Sequence, residues 1–232
     1  MTTTVDLETA AWQALSTVVD PELDEPITDL GFVASLRVGA DELSVELRLP
    51  TYFCAPNFAY LMVADAHDAL SGLETPGLRV TLLDHFASEE INAGVAAGSG
   101  FGSSFQESGE LDDLRRTFLH KAHLALQERL ARAVLVEGRE PEDLVHVTLR
   151  EAPPGPGLDR MRHRRQQLGL PHGPDAPLLI DDDGHPIEAA HVPIRLRYAR
   201  ATRVSMEGNA GWCRGLLDTR YAASREGRRG LH

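Results

Sequence analysis

The sequence predicts an α+β fold: a small helix–hairpin–helix–strand sandwich followed by a mixed helical/β C-terminal extension. Three observations carry that prediction. Leu43, Val45, Leu47 and Leu49 alternate with Ser44, Glu46 and Arg48, the period of a strand with one face buried. On either side of this region, apolar residues recur instead at intervals of three and four, the period of a helix that packs along one stripe. The order helix, strand pair, helix, strand then puts both helices on one face of a three-stranded sheet.

The first helix is expected over residues 6–19. Asp6 suits its N-cap and Glu8 the positive field of its first turn. Ala11, Trp12, Leu15, Val18 and Val19 give it an apolar face. Asp20-Pro21-Glu22-Leu23-Asp24-Glu25-Pro26-Ile27-Thr28-Asp29-Leu30-Gly31 ends it. Pro21 and Pro26 fix φ and remove two backbone donors, and Gly31 permits a tight entry into the next strand. Residues 32–38 and 43–49 then pair as a hairpin about Gly39-Ala40-Asp41-Glu42. Residues 58–70 form a second helix closed by Gly72, and residues 78–83 a third strand.

Residues 93–108 are rich in Gly, Ser and Ala and read as a linker. A phosphate cradle would need a Gly-Lys-Ser/Thr ending and a preceding strand, and neither is present. Domain boundaries are accordingly expected at 1–92, 93–108 and 109–232. In the last part, residues 111–136 read as a long helix and 145–149 as a short strand. Residues 158–168 read as a basic helix, and 178–187 as a hairpin about Asp183-Gly184. Val192 to Tyr198 alternates as a strand, residues 209–221 form a final helix, and the tail from Ser224 is polar and frayed.

The chain has 232 residues, 42% of them hydrophobic, so it can bury a substantial core. It has no apolar run of the roughly 18 residues a membrane span requires and no signal-peptide pattern, so a cytoplasmic protein is expected. Residues 1–92 hold 16 Asp and Glu against 3 Arg, a net charge of −13. That balance argues against nucleic acid and suits a metal ion or a basic protein partner. Two cysteines, Cys54 and Cys213, build no disulfide framework. Nor can one chain supply the four thiolates of an ordinary iron–sulfur cluster.

Two motifs draw the eye. The acidic loop holds five carboxylates in twelve residues, and Thr51-Tyr52-Phe53-Cys54-Ala55-Pro56 follows at the next strand-to-helix corner. Asp20-Pro21-Glu22, Ile27-Thr28-Asp29-Leu30-Gly31 and Thr51 with Cys54 resemble the SufT/PaaD-like family, also catalogued as domain of unknown function fifty-nine. The resemblance covers residues 5–92 and extends to the order of elements. It implies an accessory factor in iron–sulfur protein maturation, some members of which accompany multicomponent oxygenases containing non-haem iron. It also implies that the protein is not itself an enzyme. Cys54 would be the reactive thiol, with Asp20, Glu22 and Asp29 around it. Ala55 stands where the family usually has Pro directly after the Cys, which shifts the thiol relative to the following helix.

Each candidate also has a plainer reading. A helix N-terminus favours the Cys54 thiolate, nearby carboxylates oppose it, and the residue could equally be a small core hydrophobe. Asp20 and Glu22 could ligate a hard cation or hold a partner's arginine, or simply cap a solvated loop. Asp29 is expected to bond the Leu30-Gly31 backbone. Cys213, beside Arg214, could join Cys54 in a two-thiol site or sit in the core beside Trp212. His120 and His123, at i and i+3 on a helix, could hold a metal but lack an evident third ligand, so a satisfied or solvated pair is the favoured reading. Asp181-Asp182-Asp183-Gly184 superficially resembles a calcium loop, yet its spacing fits a hairpin turn better.

The function expected is therefore an accessory factor for iron–sulfur or non-haem iron protein maturation, handling iron or a cluster transiently. Its partner would be a client metalloprotein, plausibly an oxygenase component recognised by the C-terminal region, and a homodimer would be compatible. The competing expectation is a docking scaffold that handles no metal. A small metalloenzyme built on His120 and His123 comes third.

Overall fold

A computed structural model describes residues 4–75, 77–98, 110–136 and 138–222. The chain divides into two compact units. One comprises Met1–Asp112 together with Gly208–His232, and the other Asp113–Glu207.

The first unit contains α1 (Thr4–Leu15), the two-residue strands β1 (Val19–Asp20) and β2 (Glu25–Pro26), and the hairpin β3 (Val33–Val38) and β4 (Leu43–Arg48). Helix α2 (Pro56–Ser71), β5 (Leu78–Leu83) and α3 (Ser88–Ala96) complete its N-terminal part. The main sheet has the order β3-β4-β5, with β3 antiparallel and β5 parallel to β4. The alternation that predicted β4 is visible in its burial: Leu43, Val45 and Leu47 are enclosed, while Ser44, Glu46 and Arg48 are half-exposed. Leu15 of α1 and Ala59, Met62, Val63, Ala66 and Leu70 of α2 close over that face with Ile27, Leu30 and Phe32. Complete burial of a leucine or phenylalanine contributes about 1.5–3 kcal/mol, and this layer is where the unit concentrates its stability. Ala210 and Leu217 of the last helix belong to the same core.

The parallel pairing of β4 and β5 fixes which loops become neighbours. It matches Arg48 with Leu83, so both strands deliver the chain at the same edge of the sheet. The segments after them, from Leu49 to Ala55 and from Asp84 to Ala87, therefore lie side by side.

The second unit is helical. It holds most of α4 (Glu110–Val136), a 3-10 turn at Pro141–His146, α5 (Pro156–Leu168) and the first half of α6 (Val192–Arg220). Leu126, Leu130, Val134, Leu144, Val147, Met161, Leu178 and Val192 form its core. At its centre Arg165 is wholly enclosed without a carboxylate. Its guanidinium donates to the carbonyls of Pro171 (3.1 Å), Pro177 (2.8 Å) and Leu178 (2.7 Å) and to His123 Nε2 (3.0 Å). One side chain thus ties α4, α5 and the 171–178 loop together.

Several expectations are corrected here. Residues 192–198 are not a strand but the first turns of α6. Val192, Leu196, Ala199 and Arg203 recur at helical spacing and face inward, and Pro193 suits a helix start. The alternating Ile194, Arg195, Leu196 and Arg197 are a coincidence of composition. Residues 145–149 form no strand, only a bridge between Thr148 and Pro177. The 178–187 hairpin shrinks to a bridge between Ile180 and Pro186 around the turn. Gly184 is required there: its φ is +92°, and a Cβ would meet Pro171 at 2.9 Å. The first residues of the expected linker are helical, because α3 continues to Ala96 and buries Ile91, Gly94 and Val95. Residues 99–108 of that linker and the tail from Ser224 lie outside the described residues. The C-terminal stretch 109–232 is not one continuous piece, since residues from Gly208 onward group with the N-terminal unit.

Candidate functional site

The acidic loop folds on its own carboxylate. Asp20 Oδ1 accepts the backbone N–H groups of Glu22 (2.9 Å) and Leu23 (3.0 Å), and the Asp20 carbonyl accepts Asp24 N–H. The turn places Asp24 at φ +52°, a left-handed conformation that aspartate tolerates. Pairing of Val19 with Pro26 and Asp20 with Glu25 closes the loop. Only 8% of Asp20 is exposed. Burial pushes its carboxyl up to about 6; the two backbone hydrogen bonds pull the other way, and Glu22 and Glu25 push it further up. Glu22 is half-exposed, and Glu25 pairs with Arg214. Asp29 is exposed and accepts the Thr28 hydroxyl at 3.3 Å, not the Leu30-Gly31 backbone as expected.

Cys54 lies at the shared exit of β4 and β5. It is half-buried, packs against the core of the first unit, and stands immediately before Ala55, the N-cap of α2. Pro56 occupies the first helical position, where a missing N–H costs nothing. Thr51 Oγ1 lies 3.4 Å from Cys54 Sγ and accepts Phe53 N–H at 3.3 Å. With one lone pair so engaged, the hydroxyl proton is free to point at the sulfur.

His85 holds this loop in place, and sequence reasoning missed it. Its Nδ1 accepts Ala87 N–H at 3.2 Å, so Nε2 carries the proton and donates to the Cys54 carbonyl at 2.7 Å. The ring is almost wholly enclosed. Its signal lay in the topology. Had β4 and β5 been read as parallel neighbours, the residues after Leu83 would have been expected beside those after Arg48. Arg220 adds a second brace, donating to the carbonyls of Leu49 (3.1 Å) and Asp84 (2.6 Å).

Around the thiol lies an aromatic collar. Tyr52 and Phe53 meet edge to face at 5.0 Å, and Phe86 stands 6.3 and 6.1 Å from them. Phe53 is 77% exposed, and Tyr52 and Phe86 are about half so. The three rings form an exposed aromatic patch next to Cys54 in the chain, outside the core.

Cys213, on α6, is half-buried against the same core. Burial pushes its thiol up to about 11, the negative charges of Asp20, Cys54 and Glu22 push in the same direction, and Arg214 opposes them. The structure therefore brings Cys54, Cys213, Asp20 and Glu22 into one electrostatic neighbourhood. It does not gather Cys54, Asp20 and Glu22 around a single ion. Among the described residues, the one group of three with ligand atoms within 4.8 Å of each other is Asp181, Asp183 and His185. That group is the expected turn: Asp181 accepts the N–H groups of Asp183 and His185.

Of the histidine pair on α4, one is tied into the packing of its unit. His123 is fully buried, and its Nε2 accepts the Arg165 proton, so the ring is neutral. Burial and then Arg165, Arg195 and His120 hold its pKa down to about 3. A nitrogen already committed to a guanidinium is not available to a metal.

Among the described residues no helix is long and apolar enough to cross a membrane. Residues 8–81 match the family described as iron-sulfur cluster assembly protein. No curated protein and no solved structure matches the chain significantly. The matched segment includes Asp20, Glu22, Asp29, Thr51 and Cys54 and stops before His85 and Cys213. The match supports a role in iron–sulfur cluster assembly, with a client metalloprotein as the partner such a role implies. Residues 8–81 thus match an N-terminal iron–sulfur assembly-type domain.

Proposed function

We propose that this protein is a non-enzymatic accessory factor that helps mature an iron–sulfur or non-haem iron protein, and that its client is a component of a multicomponent oxygenase. The observation that carries the reading is the setting of Cys54. A half-buried thiol is fixed through its own carbonyl by His85 and faced by the Thr51 hydroxyl, in a unit that also carries the acidic loop. A thiolate with carboxylates close by suits brief possession of iron or a cluster as cargo, because negative charge attracts the cation. The oxygenase client rests on the resemblance of the N-terminal motifs. The test is oxygenase activity in cells lacking this protein. Wild-type chain restores it and Cys54→Ser does not; full restoration by Cys54→Ser would refute the role of the thiol.

A second reading, a docking module that handles no metal, is favoured by the exposed collar of Tyr52, Phe53 and Phe86. Metal analysis and the visible spectrum of anaerobically purified protein separate the two readings. Iron or cluster absorption lost with Cys54→Ser supports the first, and loss of client binding with Phe53→Ser at unchanged metal content supports the second.

A further inference from the structure

We propose that two copies of this chain associate through charge-matched helix faces: the acidic outer face of α1 in one copy seats on the basic outer face of the first half of α6 in the other. The inference goes beyond the maturation role and does not depend on it.

The face on α6 lies within the second unit. The side of the helix away from the core should be polar, yet Ile194, Tyr198 and Val204 are each more than half exposed. Arg197, three residues after Ile194, and Arg200, four before Val204, stand on the same side. Residues 192–206 hold four arginines and no Asp or Glu. Arg195 is taken by Asp182, and Arg203 by Glu128 and Glu207. Arg197 and Arg200 are exposed and form no ion pair among the described residues.

Helix α1 offers the counterpart. Its sequence contains no Lys or Arg. Val5 and Trp12 are exposed, although Ala11 and Leu15 of the same helix are buried. Glu8, three residues after Val5 and four before Trp12, lies between them on that face. It is exposed and forms no ion pair among the described residues. Asp6 adds a second exposed carboxylate beside Val5. Val5 to Trp12 spans about 10 Å of helix and Ile194 to Val204 about 15 Å, so the shorter face fits on the longer. Apolar side chains then meet apolar ones, and Glu8 meets Arg197 or Arg200. The net charge of −13 over residues 1–92 draws the arginines to this part of a second copy. An anionic membrane lacks the patterned match and repels the chain's net charge of −12. Two copies repel as well, so association through two short faces is expected to be weak and concentration-dependent.

Sedimentation of the full-length protein, from micromolar to millimolar concentration at low salt, tests the contact. Wild type is expected to associate, and less so as salt rises. Glu8→Arg and Arg200→Glu each set like charges face to face and should weaken association by about tenfold or more. Both positions are exposed, so melting temperatures should match wild type. Mixed together, the two variants should associate again, because each supplies the face the other has lost. A wild type that stays monomeric, association that both substitutions leave unchanged, or a mixture no tighter than either variant alone would overturn the proposal. Monomers that bind a purified oxygenase component, or vesicles containing phosphatidylserine, and lose it on Arg200→Glu would assign the α6 face to a client or a membrane and overturn it as well. The dependence of oxygenase activity on Cys54 is read separately, so the maturation reading stands or falls on its own.

Discussion

The two units bury ionisable groups in opposite ways. In residues 113–207, Arg165 is sealed off with every direction answered by a carbonyl or by neutral His123, and Arg203 pairs with Glu128 and Glu207. Around the acidic loop, Asp20 and Cys213 are also desolvated, but their neighbours include more negative charge. The first arrangement is complete and holds a fold together. The second disfavours the charged forms of Asp20 and Cys213. Desolvation alone does not mark a functional site. Desolvation with unrelieved like charge does.

The most severe way to break this contrast is Arg165→Met. It strands the buried Leu178 carbonyl, the Pro171 and Pro177 carbonyls and buried His123, and each buried group left unsatisfied costs about 1–3 kcal/mol. Denaturant unfolding should show that loss, and a change under about 1 kcal/mol would mean that the guanidinium is not the keystone of its unit. Next comes Asp20→Asn. The folded carboxyl titrates near 6 against an ordinary 3.8. Its raised pKa means that stability present at low pH is lost as pH climbs from 3.8 to 6, by at most about 3 kcal/mol. Asparagine keeps the acceptor oxygen and removes the charge, so the variant should be more stable than wild type at neutral pH and lack that slope. The same change in stability from pH 4 to 7 in wild type and in Asp20→Asn would contradict the burial argument.

His123 gives the opposite slope. Its folded pKa near 3 lies below the ordinary 6.5, so the unfolded chain takes up the extra proton. Stability is complete above 6.5 and falls as the solution is acidified toward 3, by about 2 kcal/mol at pH 5. Hydrogen exchange resolved along the chain should show residues 113–207 loosening in acid; uniform protection down to pH 4 would count against it. Cys54→Ser has the smallest expected effect on folding, under about 1 kcal/mol for a half-buried position, read by thermal melting. A larger loss would make Cys54 chiefly a packing residue.

Much of the fold was legible in advance where one period dominated. The β4 alternation, the α2 stripe and the two prolines of the acidic loop each admit one reading, and β5 falls at Leu78–Leu83 as expected. Residues 192–198 failed because two periods fit the same letters and only the partner surface decides between them. The site was half legible. Cys54 and the carboxylates advertise themselves, whereas His85 acts through a carbonyl that no side-chain pattern reveals. Asp20 and Glu22 were expected as ligands, yet Asp20 spends one oxygen shaping its own loop.

The central claim is that Cys54 serves the iron centre of another protein. Iron per polypeptide in a co-expressed oxygenase component, purified anaerobically beside wild-type chain or Cys54→Ser, measures it most directly. A client poor in iron is expected with Cys54→Ser, at equal yields of both proteins. Equal iron in the two preparations would contradict it.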